Sequence, residues 1–431
     1  MPPDRCAPRA GACMYFFYFY PLGLDRPLHC RPWLSWALMG VMTVAFLWGQ
    51  YFPWLFDIRP WNLVFYAGAS PPWTAVTAVF MHAGWLHLLG NLVYLHVFAP
   101  PLEQRLGRPR FLVFFVMMGV GGNIAHGLVS ALGLLGQSGV GVLGASGAIA
   151  GLLAFSMVRL FDARVQIGWW VLAPLAGQNR AGRTLVPIVA AVGLWLALQV
   201  IQTLAATEAG TTTSFAAHFG GFATGLFLAL ALGQLEPARA ESARIRAERY
   251  FLEGQFHAAD GAWQEYLERV PGDEEALLAQ ARVRHGLGRP MDAAELYRSV
   301  FGNRIARGDA IGALAVYREA RRGQSEQYFR PSELARVAYY FEKQGNHEAA
   351  LAAYQSLFYN YPDHPEGHRA LVRVIVLHRG KVPNAAAARH FLEEARRHLP
   401  PGGWRDYLAE ELMESAGDHG EPAATPATQL P

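Results

Sequence analysis

Between residues 33 and 235 the chain is a succession of apolar runs broken by short polar or glycine-rich stretches. Six of these runs, 33–52, 85–99, 111–135, 146–161, 185–206 and 215–235, read as membrane-spanning helices. A bilayer core of ~30 Å takes about 20 predominantly apolar residues per helix, fewer where flanking groups reach the interface. The second and fourth runs are short, which predicts positions surrounded largely by other helices. Residues 53–84 are long and aromatic, with Trp54, Trp61, Phe65, Tyr66, Trp73 and Phe80, and suit a segment lying in the outer interface.

From residue 236 the pattern changes to charged, helix-periodic sequence. Gly254-Gln255-Phe256-His257-Ala258-Ala259 is echoed 34 residues later by Gly288-Arg289-Pro290-Met291-Asp292-Ala293-Ala294, and each is followed by an aromatic, Tyr266 and Tyr297. The theme returns at Gly308-Asp309-Ala310 with Tyr317, and at Gly345-Asn346-His347 with Tyr354 and Pro362. A 34-residue period with small residues where helices cross is the signature of tetratricopeptide-like helical hairpins, here degenerate in spacing. Such a stack leaves a concave surface for a protein partner. The domain plan is therefore an N-terminal segment 1–32, a six-span membrane domain 33–235, a repeat domain 236–414 and a disordered tail 415–431 rich in Ala, Thr, Pro and Gly. The fold class is all-α.

Charge sharpens this division. Residues 1–235 hold 12 Arg, no Lys and 6 acidic residues, and residues 236–431 hold the other 25 basic and 28 acidic residues. The first half is too poor in charge for a soluble domain, which excludes a wholly soluble enzyme and a disordered chain. A clustered basic face is missing as well, so nucleic acid is not an expected partner. Arginines concentrate before run one, between runs two and three, and between runs four and five, whereas the third and fifth loops have none. The positive-inside rule then places both termini in the cytoplasm. The excess of 35 Arg over 2 Lys points weakly to a bacterial inner membrane. Cys6, Cys13 and Cys30 form no CxxC pair and no disulfide framework. The run Met14–Tyr20 is seven residues, followed by Pro21 with no small-residue cleavage site, so it is not a secretory signal, and Met14 is an alternative start.

Polar side chains inside apolar helices are expensive and call for a reason. His82 and His87 stand at the entrance of the second run, and Asn91 follows His87 at i+4 on the same face. Gly144-Ala145-Ser146-Gly147 opens the fourth run, and His218 sits one turn into the sixth. With the inferred topology, runs two, four and six all enter from the outer face, so His87, Asn91, Ser146 and His218 share one depth. Gly147 and Gly151 form a small-xxx-small pair, as do Gly221 and Gly225, and such pairs let helix backbones approach closely. His218, Gly221 and Gly225 lie at i, i+3 and i+7, which puts the histidine on the packing face. A hydroxyl beside an imidazole is the minimum for nucleophilic catalysis. His87, Asn91 and the Ser146 amide would supply donors to an oxyanion. Asp162 and Glu208, the nearest acids, lie at loop edges, and a dyad without an acid suffices where packing fixes the imidazole. His96 and His126 read as interfacial or interior helix histidines.

This set of motifs resembles the rhomboid family of intramembrane serine proteases over residues 14–235. Met81-His82, His87 and Asn91 look like the family's second-span signature, and Glu103-Gln104-Arg105-Leu106-Gly107 like the loop that follows. Gly144-Ala145-Ser146-Gly147 looks like its nucleophile motif, and Ala217-His218-Phe219-Gly220-Gly221-Phe222-Ala223-Thr224-Gly225 like its histidine motif. The resemblance implies Ser146 as nucleophile, His218 as base, and His87, Asn91 and the Ser146 amide as oxyanion hole. His82, Gly144, Gly147, Gly221 and Gly225 would be supporting, and Glu103 and Arg105 structural. It implies no cofactor and no metal, and single-span membrane proteins, cut near their outer end, as substrates. Two positions depart from the family: Thr74 follows Trp73 where many members have Arg, and Ala150 stands where some members stack an aromatic ring on the histidine. The orientation of His218 must then come from elsewhere. Two other functions compete. One is a catalytically silent scaffold that binds client helices. The other is a metal-dependent membrane enzyme using His82, His87 and His218, disfavoured because HExxH is absent and acidic ligands are missing at that depth.

Overall fold

A computed structural model describes residues 16–56, 58–133, 141–173, 178–206 and 215–408. The predicted tail 415–431, Cys6, Cys13, Met14 and Glu208 fall outside them. The chain divides into two compact units, Met1–Ser242 and Ala243–Pro431.

In the first unit each of the six apolar runs holds a helix: α1 (Trp33–Tyr51), α3 (Trp85–Leu106), α4 (Arg108–Ala131), α5 (Ser146–Arg159), α6 (Ile188–Ala206) and α7 (Phe215–Ala231). A single turn, α2 (Thr74–Thr77), precedes α3, and α8 (Leu235–Leu252) follows α7. By length and composition α4 is apolar enough to cross a membrane alone. Thr74–Phe80 with α3, bent by 91°, and α7 with α8, bent by 76°, qualify as pairs, and α5 and α6 are shorter apolar helices. The core is made of side chains such as Met42, Phe46, Leu88, Leu95, Phe111, Phe115, Met118 and Phe155, all fully buried.

The unit is mostly helical but not all-α. Three strands, β1 (Phe16–Leu24), β2 (Arg164–Ala173) and β3 (Gln178–Pro187), form an antiparallel sheet in that order. The alternation of Val165, Ile167, Trp169 and Val171 along β2 is the period-2 pattern of a strand. The apolar run expected to begin the fifth helix at residue 185 is divided accordingly: Leu185, Val186 and Pro187 pair with Gln166, Val165 and Arg164, and the helix starts at Ile188. The expected second run stops at residue 99, whereas α3 continues through Pro100 and Pro101 to Leu106.

That extension has a purpose in the packing. Glu103, 3% exposed, accepts hydrogen bonds from the Leu34 and Ser35 amides at 3.1 and 2.8 Å and from Ser35 Oγ at 2.7 Å. Pro32, at the N-cap of α1, has no side chain that can cap. Glu103 therefore satisfies the orphan N–H groups of α1 from another helix, and its charge suits the positive end of the helix dipole. Arg105 and Arg159 both pair with Glu241 of α8. Burial alone would raise the Glu241 carboxyl, but the hydrogen bonds and charges of these two arginines outweigh it and hold it below its usual value.

Helices α4, α5 and α7 make the tightest crossing. A Cβ on Gly221 or Gly225 would run into the backbone of Gly147 or Gly151 respectively, and one on Gly122 would come within 2.6 Å of the Ala217 carbonyl. Only glycine permits this approach.

In the second unit helices α9 (Phe256–Arg269), α10 (Glu274–Gly286), α11 (Pro290–Ala306), α12 (Ala310–Arg322), α13 (Pro331–Lys343), α14 (His347–Asn360), α15 (Pro365–Arg379) and α16 (Ala385–His398) follow one another in antiparallel hairpins. The repeated glycines mark helix ends: Gly254, Gly288, Gly308 and Gly345 all adopt φ between +71° and +77°. After each, the next amide reaches five residues back, as Gln255 to Tyr250, Arg289 to Arg284, Asp309 to Arg304 and Asn346 to Phe341. This is a Schellman turn, in which a left-handed glycine closes the last carbonyls of the helix. The repeated Tyr266, Tyr297 and Tyr354 are buried against the hairpins, with hydroxyls donating to Asp273, Glu319 and Glu342.

Candidate active site

Ser146 is the first residue of α5, reached through a strap that the rest of the unit holds in place. Val142 pairs with Phe65, and the Gly144 amide donates to the Ala78 carbonyl at 2.8 Å. Gly144 has φ +112°, a conformation that favours glycine, and a Cβ there would lie 2.6 Å from Cε1 and Nε2 of His87. The sequence thus bends the chain sharply before Ser146 and leaves room for a ring beside the bend. The amide of Ser146 is one of the unpaired donors at a helix N-terminus, where developing negative charge is favoured.

These elements open onto a cavity of about 700 Å³ lined by His87, Asn91, Gly144, Ser146, Gly147 and His218, among others. The side chains that the sequence places at one depth therefore meet in one space. Ser146, His87 and His218 are each half-buried. Among the described residues no hydrogen bond joins Ser146 Oγ to the His218 ring; catalytic hydrogen bonds often tighten only once substrate is bound.

His82 lies one step back. Its Nε2 is 2.9 Å from Asn91 Nδ2, and its Nδ1 is 3.3 Å from the Phe80 carbonyl. The carbonyl can only accept, so Nδ1 carries the proton and Nε2 accepts from the Asn91 amide. His82 thereby orients Asn91, and its ring stands edge-on to His87 with centroids 5.2 Å apart. Gly221 and Gly225 stay out of the cavity, in the contact of α7 with α5.

The loop before α3 is braced around Thr74, with no arginine after Trp73. Thr74 is fully buried, and its hydroxyl bonds to the Pro71 carbonyl at 2.6 Å and to Ser70 Oγ at 2.8 Å. Asn123 of α4 donates to the Ala75 carbonyl at 2.8 Å.

Among the cavity residues that escaped the sequence reading are Trp195 and Gln199 of α6. Gln199 Oε1 is 2.6 Å from His218 Nδ1, and the Trp195 ring centroid is 6.1 Å from that of His218. The signal that could have found Gln199 is a buried-polar one, an amide within the apolar run Leu194-Trp195-Leu196-Ala197-Leu198-Gln199-Val200-Ile201. Asp162 is turned away from the site into an ion pair with Arg26 at 2.7 Å. No group of three His, Cys, Asp or Glu side chains among the described residues is placed to hold a metal ion.

Comparison with known proteins adds family evidence. Residues 69–235 match the rhomboid domain, and residues 336–364 match a tetratricopeptide repeat. YdcA of Bacillus subtilis (strain 168), a candidate rhomboid protease, is 40% identical over 22% of this chain and 45% of its own length. The chloroplastic rhomboid-like protein 11 of Arabidopsis thaliana is 36% identical over 24% of this chain and 35% of its own length. Arabidopsis rhomboid-like protein 5 is 28% identical over 37% of this chain and 44% of its own length. The chain thus spans less than half the length of each of these relatives. Among solved structures, MamA protein aligns over 44% of this chain and 98% of its own at 18% identity, with a TM-score of 0.21, too low to carry an inference. The chain carries a rhomboid domain followed by tetratricopeptide-like repeats.

Proposed function

We propose that the first unit is a six-span intramembrane serine endopeptidase, with both chain ends cytoplasmic, that cuts membrane helices of single-span proteins near their outer end. The observation that carries this reading is the single cavity lined by Ser146, His218, His87 and Asn91. In the reaction Ser146 Oγ attacks the scissile carbonyl while His218 takes the hydroxyl proton and later passes it to the leaving amine. The developing oxyanion is received by the Ser146 amide at the positive end of α5 and by side-chain donors of His87 and Asn91, the latter oriented by His82. Water entering the cavity then hydrolyses the acyl-enzyme.

Support for the bilayer as solvent comes from the outward faces. Val44, Val113, Leu128, Leu194, Ile201, Leu204, Phe227 and Leu230 are each more than half exposed on α1, α4, α6 and α7. Large apolar side chains left so exposed on four helices suit a lipid surrounding better than water. The repeat unit is read as a cytoplasmic docking module for a protein partner, and a groove of about 550 Å³ lined by Arg336, Tyr339, Arg369, Arg373 and Trp404 is its candidate contact surface.

The competing reading, a silent scaffold that binds client helices, draws on one observation, the missing hydrogen bond between Ser146 and His218. Purified wild type, Ser146→Ala and His218→Ala in liposomes, given a single-span test substrate, separate the two. Cleavage by wild type alone supports the protease. A folded wild type that binds the substrate without cutting it supports the scaffold.

A further inference from the structure

We propose that Gln199 is the positioning residue of the dyad, holding His218 from α6 in the tautomer and orientation that general-base chemistry requires. This rests on the Ser146–His218 reading above. A rhomboid histidine stacked on an aromatic ring would need a ring where this chain has Ala150, a fully buried methyl group. Something else must fix the imidazole, and the structure offers Gln199 Oε1 at 2.6 Å from His218 Nδ1.

The contact is directional. An amide oxygen only accepts, so the proton sits on Nδ1, and Nε2 keeps the lone pair that a general base needs. Were the amide reversed, its N–H would face Nδ1 and force the opposite tautomer. In the observed orientation the other end of the amide is used as well: Gln199 Nε2 donates to Gln202 Oε1, one turn further along α6, at 3.5 Å. Trp195, one turn earlier on the same face, puts its ring beside His218 and limits rotation of the imidazole.

Burial marks Gln199 as chosen for this contact. It is 8% exposed, whereas its neighbours Leu198 and Val200 are 46% and 43% exposed. The one face of α6 turned toward the site at this level carries an amide. A carboxylate would hold the same tautomer and also stabilise the imidazolium, but at much greater desolvation cost inside an apolar helix. The amide supplies the geometry alone. The arrangement thus performs the orienting part of a triad acid's role with an uncharged group.

The test uses the full chain in detergent, comparing wild type with Gln199→Leu, which removes the acceptor, and Gln199→Glu, which keeps it. Three quantities are read: the rate of labelling by a fluorophosphonate serine probe, kcat and KM on a single-span test substrate, and the His218 tautomer by ¹⁵N NMR of histidine-labelled protein. Gln199→Leu should lower kcat and the labelling rate together, on the order of 10- to 100-fold, with KM within about threefold of wild type. The Nδ1–H tautomer should give way to a mixture, and Gln199→Glu should recover most of the labelling. If Gln199→Leu does not fold, Gln199→Met replaces it as the apolar variant. Wild-type rates and an unchanged tautomer in the apolar variant would overturn the proposal while leaving the dyad intact. A folded wild type that never labels at Ser146 removes the dyad itself, and the catalytic role of Gln199 with it.

Discussion

Replacing Gly144 by Ala tests whether the strap before Ser146 shapes the oxyanion site. Two effects combine at this position. A residue with a side chain is strained at φ +112°, typically by about 1–3 kcal/mol. The new methyl group would also stand 2.6 Å from Cε1 and Nε2 of His87, where carbon atoms settle at about 3.5–4.0 Å. The strap cannot simply withdraw, because its amide is tied to the Ala78 carbonyl. The His87 ring must therefore shift by about 1 Å, and a misplacement of that size costs about 100-fold in rate, or about 2.7 kcal/mol of transition-state stabilisation. Cleavage of a single-span substrate should show kcat reduced by that factor while thermal unfolding in detergent stays cooperative. Gly107→Ala is the control: Gly107 has φ +76° but nothing within 4 Å of its would-be Cβ, so it carries backbone strain without a displaced ring. Wild-type kcat in Gly144→Ala, or equal losses in the two variants, would refute the argument.

Other expectations follow from the packing. Glu103→Ala strips the acceptor from the Leu34 and Ser35 donors and should lower stability by about 2–4 kcal/mol, read as an earlier melting transition; an unchanged transition would deny the cross-helix cap. Gly221→Ala pushes a methyl group into the Gly147 backbone and should destabilise by about 1–3 kcal/mol, whereas Gly40→Ala, with open space around its Cβ, should not. Glu241 has a depressed carboxyl, so its contribution is present above the ordinary value of 4.5 and is lost as pH falls through its lower folded value. Melting followed from pH 6 downward should show an acid-dependent loss that is smaller in Glu241→Gln, and identical acid profiles would count against the arginine clamp. In the repeat unit Gly345→Ala places a methyl group at φ +73°, and should cost about 1 kcal/mol or more of stability without affecting cleavage.

That Ser146, His218, His87 and Asn91 would come together around one cavity was legible in the sequence because each carries a local mark. Ser146 and His218 sit inside glycine-spaced helices, and His87 and Asn91 are an i, i+4 polar pair at the head of an apolar run. Each is conspicuous against its surroundings, and the expected alternation of spans would put them at one depth. Gln199 carries no such mark: a lone amide in a hydrophobic run has no partner in sequence, and its meaning depends on the packing of α6 beside α7. The repeat hairpins were legible through glycines at helix ends, which recur because each turn needs a left-handed residue. The sheet was missed for a different reason. In β2 the alternation was available but stood between arginines read for topology. In β3 the apolar residues Leu185–Pro187 run without interruption into α6, so hydrophobicity alone could not mark where strand becomes helix. The short first-loop turns and the extension of α3 past two prolines depend on long-range contacts, through Asn123 and Glu103, that no window of local sequence contains.

The most direct measurement is to react the folded, purified protein with a fluorophosphonate and locate the adduct by peptide mass spectrometry. One modified residue, Ser146, with modification lost in His218→Ala, is the predicted result. An unmodified Ser146 in protein that is folded by its melting transition, or an adduct retained at full rate without His218, would contradict a Ser–His dyad at the centre of this fold.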